Sequence, residues 1–169
     1  MLQVYTGDGK GKTTAAFGLA LRAAGHGWPV LIVQFMKGDS SYGEVQAARH
    51  IPGLEVRQFG LPTFVEMGNP QPEDIEQARK GIAAAHEALV SRKYRMLILD
   101  ELNVAVDYGL VRFSEVLTIV DNCPVEVELV ITGRGARREL LERADLVSEV
   151  RCIKHPFDRG IVNRVGIDH

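Results

Sequence analysis

The chain has 169 residues, which suits one domain spanning 1–169 with a sizeable core. Apolar residues make up 46% and charged ones 25%, with a formal net charge of −2, so composition fits a soluble globular protein and gives no push towards nucleic acid. No apolar run approaches membrane-spanning length, and Cys123 and Cys152 form no metal spacing. The expectation is a cytoplasmic protein with buried free thiols and no signal peptide.

Leu2 to Tyr5 is a short apolar strand. It runs through Thr6-Gly7-Asp8-Gly9-Lys10-Gly11-Lys12-Thr13-Thr14 into Ala15 to Leu21, which reads as a helix. A glycine-rich turn between strand and helix, closed by Gly-Lys-Thr, is a phosphate cradle. Glycines let the backbone approach an anion and aim N–H groups at it, and the helix N-terminus adds partial positive charge. Lys12 supplies a full charge, and Thr13 places a hydroxyl where a phosphate-bound magnesium would sit. The usual motif separates its first glycine from Gly-Lys by four residues. Counting back from Gly11 reaches Thr6, so from Gly7 the loop is one residue short. A Rossmann turn needs a different glycine spacing and an acid ending the next strand, whereas here that strand ends in Gln34-Phe35.

The first helix is expected over 13–25, with Phe17, Leu21 and Ala24 on its packed face. Arg22 reads either as a solvated charge or as a second phosphate contact. Pro29 to Phe35 is an unbroken apolar run, suited to a strand buried on both faces of a parallel sheet. Met36 to Ser41 is a loop at the strand's C-terminal end, where α/β sheets bind ligands, which makes Lys37 a site candidate. Tyr42 to His50 reads as a short helix, Leu54 to Phe59 as a strand, and Gly60 to Gln71 as a long loop with Phe64 and Met67 exposed, a lid over something apolar. Pro72-Glu73-Asp74 starts a helix whose Ile75, Ala78, Ile82, Ala85 and Leu89 form one stripe.

Met96 to Leu99 followed by Asp100-Glu101 is the second chemical motif. The apolar run buries a strand and delivers two carboxylates to its tip, where they hold magnesium directly or through water. Asn103 to Tyr108 reads as a connecting segment, Arg112 to Asn122 as a helix, and Val125 to Thr132 as a strand. That strand leads into Gly133-Arg134, and an arginine after a strand tip suits a polyphosphate. Glu139 to Ala144 and Leu146 to Val150 are a last helix and strand, followed by a polar tail. Alternating strands and helices predict one mainly parallel α/β sheet.

With these pieces placed, the sequence resembles the P-loop corrinoid adenosyltransferases. The residues that carry the resemblance are Gly7 to Gly18 with Arg22 and Gly25-His26-Gly27, then Val33 to Gly38, Leu99-Asp100-Glu101 and Thr132 to Gly135. The tail completes it with Lys154-His155-Pro156-Phe157-Asp158-Arg159-Gly160 and Gly166-Ile167-Asp168. The resemblance implies a three-layer, RecA-like P-loop NTPase fold and a homodimer. It implies transfer of the 5′-deoxyadenosyl group of ATP to the Co(I) of a corrinoid, with release of inorganic triphosphate. ATP is then expected on Gly7, Asp8, Gly9, Lys10, Gly11, Lys12, Thr13, Thr14, Arg22 and Arg134, with Lys12 and Glu101 catalytic. Magnesium or manganese is expected on Thr13, Glu101 and Asp100, a reductase is expected to deliver Co(I), and the corrinoid is expected near Phe64. Some members have Phe-Thr-Trp in that region, whereas this chain reads Pro62-Thr63-Phe64-Val65. A RecA-like ATPase or kinase and a non-enzymatic nucleotide sensor are the competing readings.

Overall fold

The computed structural model describes residues 1–168 apart from 64 and 163. Six strands form one sheet: β1 (Leu2–Thr6), β2 (Val30–Phe35), β3 (Leu54–Phe59), β4 (Met96–Asp100), β5 (Glu128–Thr132) and β6 (Leu146–Glu149). Their order is β3-β2-β4-β5-β1-β6, and every pairing is parallel. The helices are α1 (Lys12–Gly25), α2 (Gly43–Ala48), α3 (Pro72–Ser91), α4 (Leu102–Asp107), α5 (Phe113–Asp121) and α6 (Arg138–Arg143), with a 3₁₀ turn at Pro156–Arg159.

Side chains alternate across a strand, and the two faces of the sheet build two cores. On one face Leu31, Val33, Phe35, Leu97, Leu99, Leu129 and Ile131 pack under α3, α4, α5 and α6. On the other, Val30, Ile32, Met96, Ile98 and Val130 pack under α1. The result is the expected three-layer P-loop NTPase architecture. It is RecA-like in one diagnostic respect: β5 lies between the strand that carries the phosphate loop and the strand that ends in the acids.

Local chemistry explains the helix ends. Pro72 opens α3, the Gln71 N–H donates to Asp74 Oδ2 at 3.1 Å, and Arg92 closes it in the left-handed conformation at φ 51°. Gly81 sits mid-helix because a Cβ there would come within 2.7 Å of the buried Phe35 ring.

Four expectations change. The packed face of α1 is Ala16, Ala20 and Ala23, while Leu21 is exposed, because small residues bring this helix close to the sheet. The segment expected to connect at Asn103 to Tyr108 is largely helical as α4. The fifth strand starts at Glu128, three residues later than expected. Cys152 is exposed rather than buried, and Cys123 is half-buried. No helix among the described residues is long and apolar enough to cross a membrane.

Candidate active site

Because all strands run parallel, their C-terminal tips share one edge of the sheet. The phosphate loop leaves β1 there, Asp100 and Glu101 end β4, and Thr132 ends β5 between them. A cleft of about 680 Å³ opens at this edge.

The loop's glycines have distinct tasks. Gly11 adopts φ 121° and leads straight into α1, with open space where a Cβ would lie. Gly9 is pressed against the chain leaving β6: its N–H donates to the Val150 carbonyl at 2.7 Å, and a Cβ would meet the Arg151 carbonyl carbon at 2.7 Å. Lys12 is buried, with its ammonium folded back to donate to the Gly9 carbonyl at 2.7 Å. Burial lowers its pKa, working against the pull of Glu101.

Behind the loop lies a saturated carboxylate. Asp100 is fully buried. Its Oδ1 accepts from Thr13 Oγ1 at 2.9 Å and Thr132 Oγ1 at 2.7 Å, and its Oδ2 accepts from Gln34 Nε2 at 3.1 Å and Lys37 Nζ at 2.9 Å. Gln34 is itself held by Gln58 Nε2 at 3.1 Å. Burial opposes ionisation of Asp100, but the charge and hydrogen bond of Lys37, with the other donors, outweigh it and lower the pKa. Glu101 differs. It adopts the left-handed φ of 60°, its N–H donates to Thr132 Oγ1 at 3.0 Å, and its side chain lines the cleft. A non-glycine residue in that conformation is costly and marks functional positions. Burial, then the neighbouring Asp100 charge, raises its pKa.

The C-terminal tail contributes to the cleft wall. His155, Phe157, Ile161, Val162 and Ile167 line it, and Lys10 Nζ pairs with Asp168 Oδ1 at 2.6 Å. Arg164 and Lys10 together hold the Asp168 carboxyl below the usual carboxylate range.

The comparisons with known proteins agree over this whole frame. A family model for ATP:corrinoid adenosyltransferase BtuR/CobO/CobP matches residues 1–169. The chain belongs to this family. Among its relatives, the corrinoid adenosyltransferase of Escherichia coli (strain K12) is 40% identical over 166 residues, covering 98% of this chain and 84% of the relative. The corrinoid adenosyltransferase CobA of Salmonella typhimurium (strain LT2) is 39% identical, with the same two shares. The Pseudomonas aeruginosa corrinoid adenosyltransferase is 35% identical, covering 99% of this chain and 83% of the relative. This corrinoid adenosyltransferase is therefore an enzyme, and its general activity is the adenosylation of corrinoids.

Of the residues expected from sequence, Gly9, Lys10, Gly11, Lys12, Thr13, Thr14, Glu101 and Arg134 line the cleft. Gly7, Asp8 and Arg22 do not; Arg22 is exposed on the last turn of α1. Asp100 lies behind the cleft wall, and Phe64 falls outside the described residues. Gln34 lies at the end of the strand where a Rossmann turn needs an acid and in a stretch that carries the family resemblance, but its role as a buried donor to Asp100 is visible only in the structure. Its signal was a polar residue in an otherwise apolar strand, which must find a buried partner. The Lys10–Asp168 pair carried no local signal.

Proposed function

We propose that this enzyme transfers the 5′-deoxyadenosyl group of ATP to the Co(I) of a corrinoid and releases inorganic triphosphate. The observation that carries this reading is the convergence of Lys12, Thr13, Glu101 and Arg134 on one open cleft, in a chain that matches the family throughout. Cob(I)alamin, cobinamide and cobyrate are the corrinoid substrates in view. The nucleophile belongs to the substrate: the Co(I) electron pair attacks C5′, the C5′–O5′ bond breaks, and its electron pair leaves on the triphosphate. The protein must hold the two reactants in line and stabilise charge on the leaving group.

Lys12, rotated from the Gly9 carbonyl, would give its ammonium to the triphosphate, beside the N–H groups that open α1. Arg134 would bind it from the β5 side. The hydroxyl of Thr13 and the carboxylate of Glu101 are hard oxygen donors and fit magnesium or manganese. Among the described residues no group of three or more His, Cys, Asp and Glu forms a metal cage. A magnesium-type site held mainly by phosphate oxygens with one or two protein ligands needs none. When bound, the ion would neutralise charge on the triphosphate. Asp100 would orient Thr13 rather than touch the ion, since its oxygens already accept four hydrogen bonds. The loop at 60–71, with Phe64, would cover the corrinoid. A homodimer, a reductase that supplies Co(I), and a cytoplasmic setting complete the proposal.

The test is anaerobic incubation with magnesium-ATP and chemically reduced cob(I)alamin, following the corrinoid spectrum and assaying triphosphate and phosphate separately. Adenosylcobalamin with equimolar triphosphate is expected. Phosphate release that ignores the corrinoid would replace this reading with an ATPase. Binding of ATP with neither product, across the three corrinoids, would replace it with a nucleotide sensor.

A further inference from the structure

Lys37 is central to the cluster, yet the reaction above assigns it no task. It sits in the loop after β2, and its backbone is fixed unusually firmly. Met36 before it takes the left-handed φ of 58° and donates its N–H to the Phe59 carbonyl at 3.0 Å. Gly38 after it crosses Gly60 so closely that a Cβ on either would run into the other segment's backbone. This crossing turns the Lys37 side chain inward, where it is only 19% exposed and pairs with Asp100 Oδ2 at 2.9 Å.

The second contact of that ammonium is the informative one. Lys37 Nζ also lies 3.4 Å from Thr13 Oγ1. A hydroxyl has one proton and two lone pairs. Thr13 gives its proton to Asp100 Oδ1, so its oxygen meets Lys37 as an acceptor. A hard divalent cation bound by Thr13 would take the remaining lone pair of the same oxygen, right beside the ammonium, and the two positive charges would repel. It would also bring positive charge towards a buried carboxylate already neutralised by Lys37.

We propose that Lys37 is a positioning residue that stands in for the divalent cation in the metal-free enzyme. Seated between Asp100 and Thr13, its ammonium holds both groups in place and competes with the ion for the Thr13 hydroxyl. The ion therefore binds firmly only when it arrives with the phosphates that supply its remaining ligands. The proposal rests on the magnesium reading given above.

The test measures Mn²⁺ binding by electron paramagnetic resonance, with and without ATP, in the wild type, Lys37→Met, Lys37→Gln and Lys37→Arg. Melting temperatures are followed in parallel. Without nucleotide, the two neutral variants should bind Mn²⁺ roughly tenfold more tightly than the wild type, a difference of about 1.4 kcal/mol. They should melt lower without metal and recover part of the loss when Mn²⁺ is added. Lys37→Arg, which keeps the charge, should bind free Mn²⁺ as weakly as the wild type. Should Lys37→Met not fold, Lys37→Gln carries the comparison, because it can still donate to Asp100. Lower melting with unchanged Mn²⁺ affinity would mean a purely structural ion pair and would overturn the proposal. Failure of the wild type to bind Mn²⁺ even with ATP would remove the magnesium reading and this proposal together. Wild-type binding with ATP and no gain in the neutral variants would remove this proposal alone.

Discussion

Replacing Asp100 by Asn tests whether the cluster is held by charge or merely by shape. The change is nearly isosteric, so packing on the β4 tip stays as it is. The carboxylate, though, is fully buried and accepts from four donors. An amide has one acceptor oxygen and turns its NH₂ towards donors, whichever way it is flipped. At 2.9 Å from Lys37 the lost attraction is roughly 6 kcal/mol with an effective dielectric of 20. Desolvation of both charges offsets part of that, and breaking one side of a buried pair typically costs about 3–5 kcal/mol. For a chain of this size that corresponds to a melting temperature about 6–20 °C lower. Calorimetry at neutral pH in chelator should show it. The sign with pH follows from the lowered pKa of Asp100 in the fold. A carboxylate of that kind contributes stability above its unfolded pKa of about 4, and the contribution disappears as pH falls through the folded value. The gap between wild type and variant should therefore be widest near neutrality and shrink in acid. A variant that melts within about 2 °C of wild type at neutral pH would refute the reasoning, because the cluster would then not depend on the charge.

Other expectations follow from the same geometry. Lys12→Ala should lower kcat about a thousandfold, roughly the 4 kcal/mol expected for a unit charge 4 Å from the leaving group at a dielectric of 20, with ATP-dependent steady-state kinetics as the check. Retained turnover would sink the phosphate-site assignment. Glu101→Gln should do the reverse of Asp100→Asn in the metal-free protein. A carboxyl whose pKa is raised in the fold favours its neutral form, so it costs stability as pH rises through the folded value. The variant should melt higher than wild type at pH 8, match it near pH 4, and lose adenosylation; a lower melting point at pH 8 would contradict the burial argument. Gly9→Ala should cost about 1–3 kcal/mol and speed hydrogen exchange at 150–152, since its Cβ would meet Arg151 at 2.7 Å. Unchanged exchange there would mean that the contact yields easily.

How much of this was legible in the sequence depended on distance along the chain. The phosphate loop could be read because every group it needs lies within a few residues, and the strand ending in Asp100-Glu101 because burial and charge meet at one point. The packed face of α1 was misassigned for a physical reason. Phe17 and Leu21 are the larger apolar residues, but a helix that must bring its N-terminus against the sheet edge packs through Ala16, Ala20 and Ala23. α4 spans only Leu102–Asp107, too short for a period to declare itself beside an acidic motif. Lys37 stands out as a candidate from its loop at a strand's C-terminal end, but its partner does not, because only the fold puts Asp100 behind it. The pairing of Lys10 with Asp168 joins opposite ends of the chain, and local chemistry has no means of announcing it.

The two adjacent acids are where sequence reading stops and geometry takes over. Asp100 and Glu101 look like an interchangeable pair in the sequence, both offered as metal ligands at a strand tip. Their pKa values move in opposite directions, down for Asp100 and up for Glu101. Both are penalised by burial, so burial does not distinguish them. Partners do: Asp100 has a lysine, two hydroxyls and an amide aimed at it, whereas Glu101 faces the cleft and feels the charge of its neighbour. The β4 backbone makes the division by passing into a left-handed turn at Glu101, so that Asp100 stays buried and bonded to Thr13 while Glu101 lines the cleft. A carboxylate already paired with Lys37 can fix a hydroxyl, and one that faces the cleft, where Lys12 and Arg134 attract it without an ion pair among the described residues, is the one that gains from a cation brought with ATP. The division of labour follows from which acid Lys37 reaches.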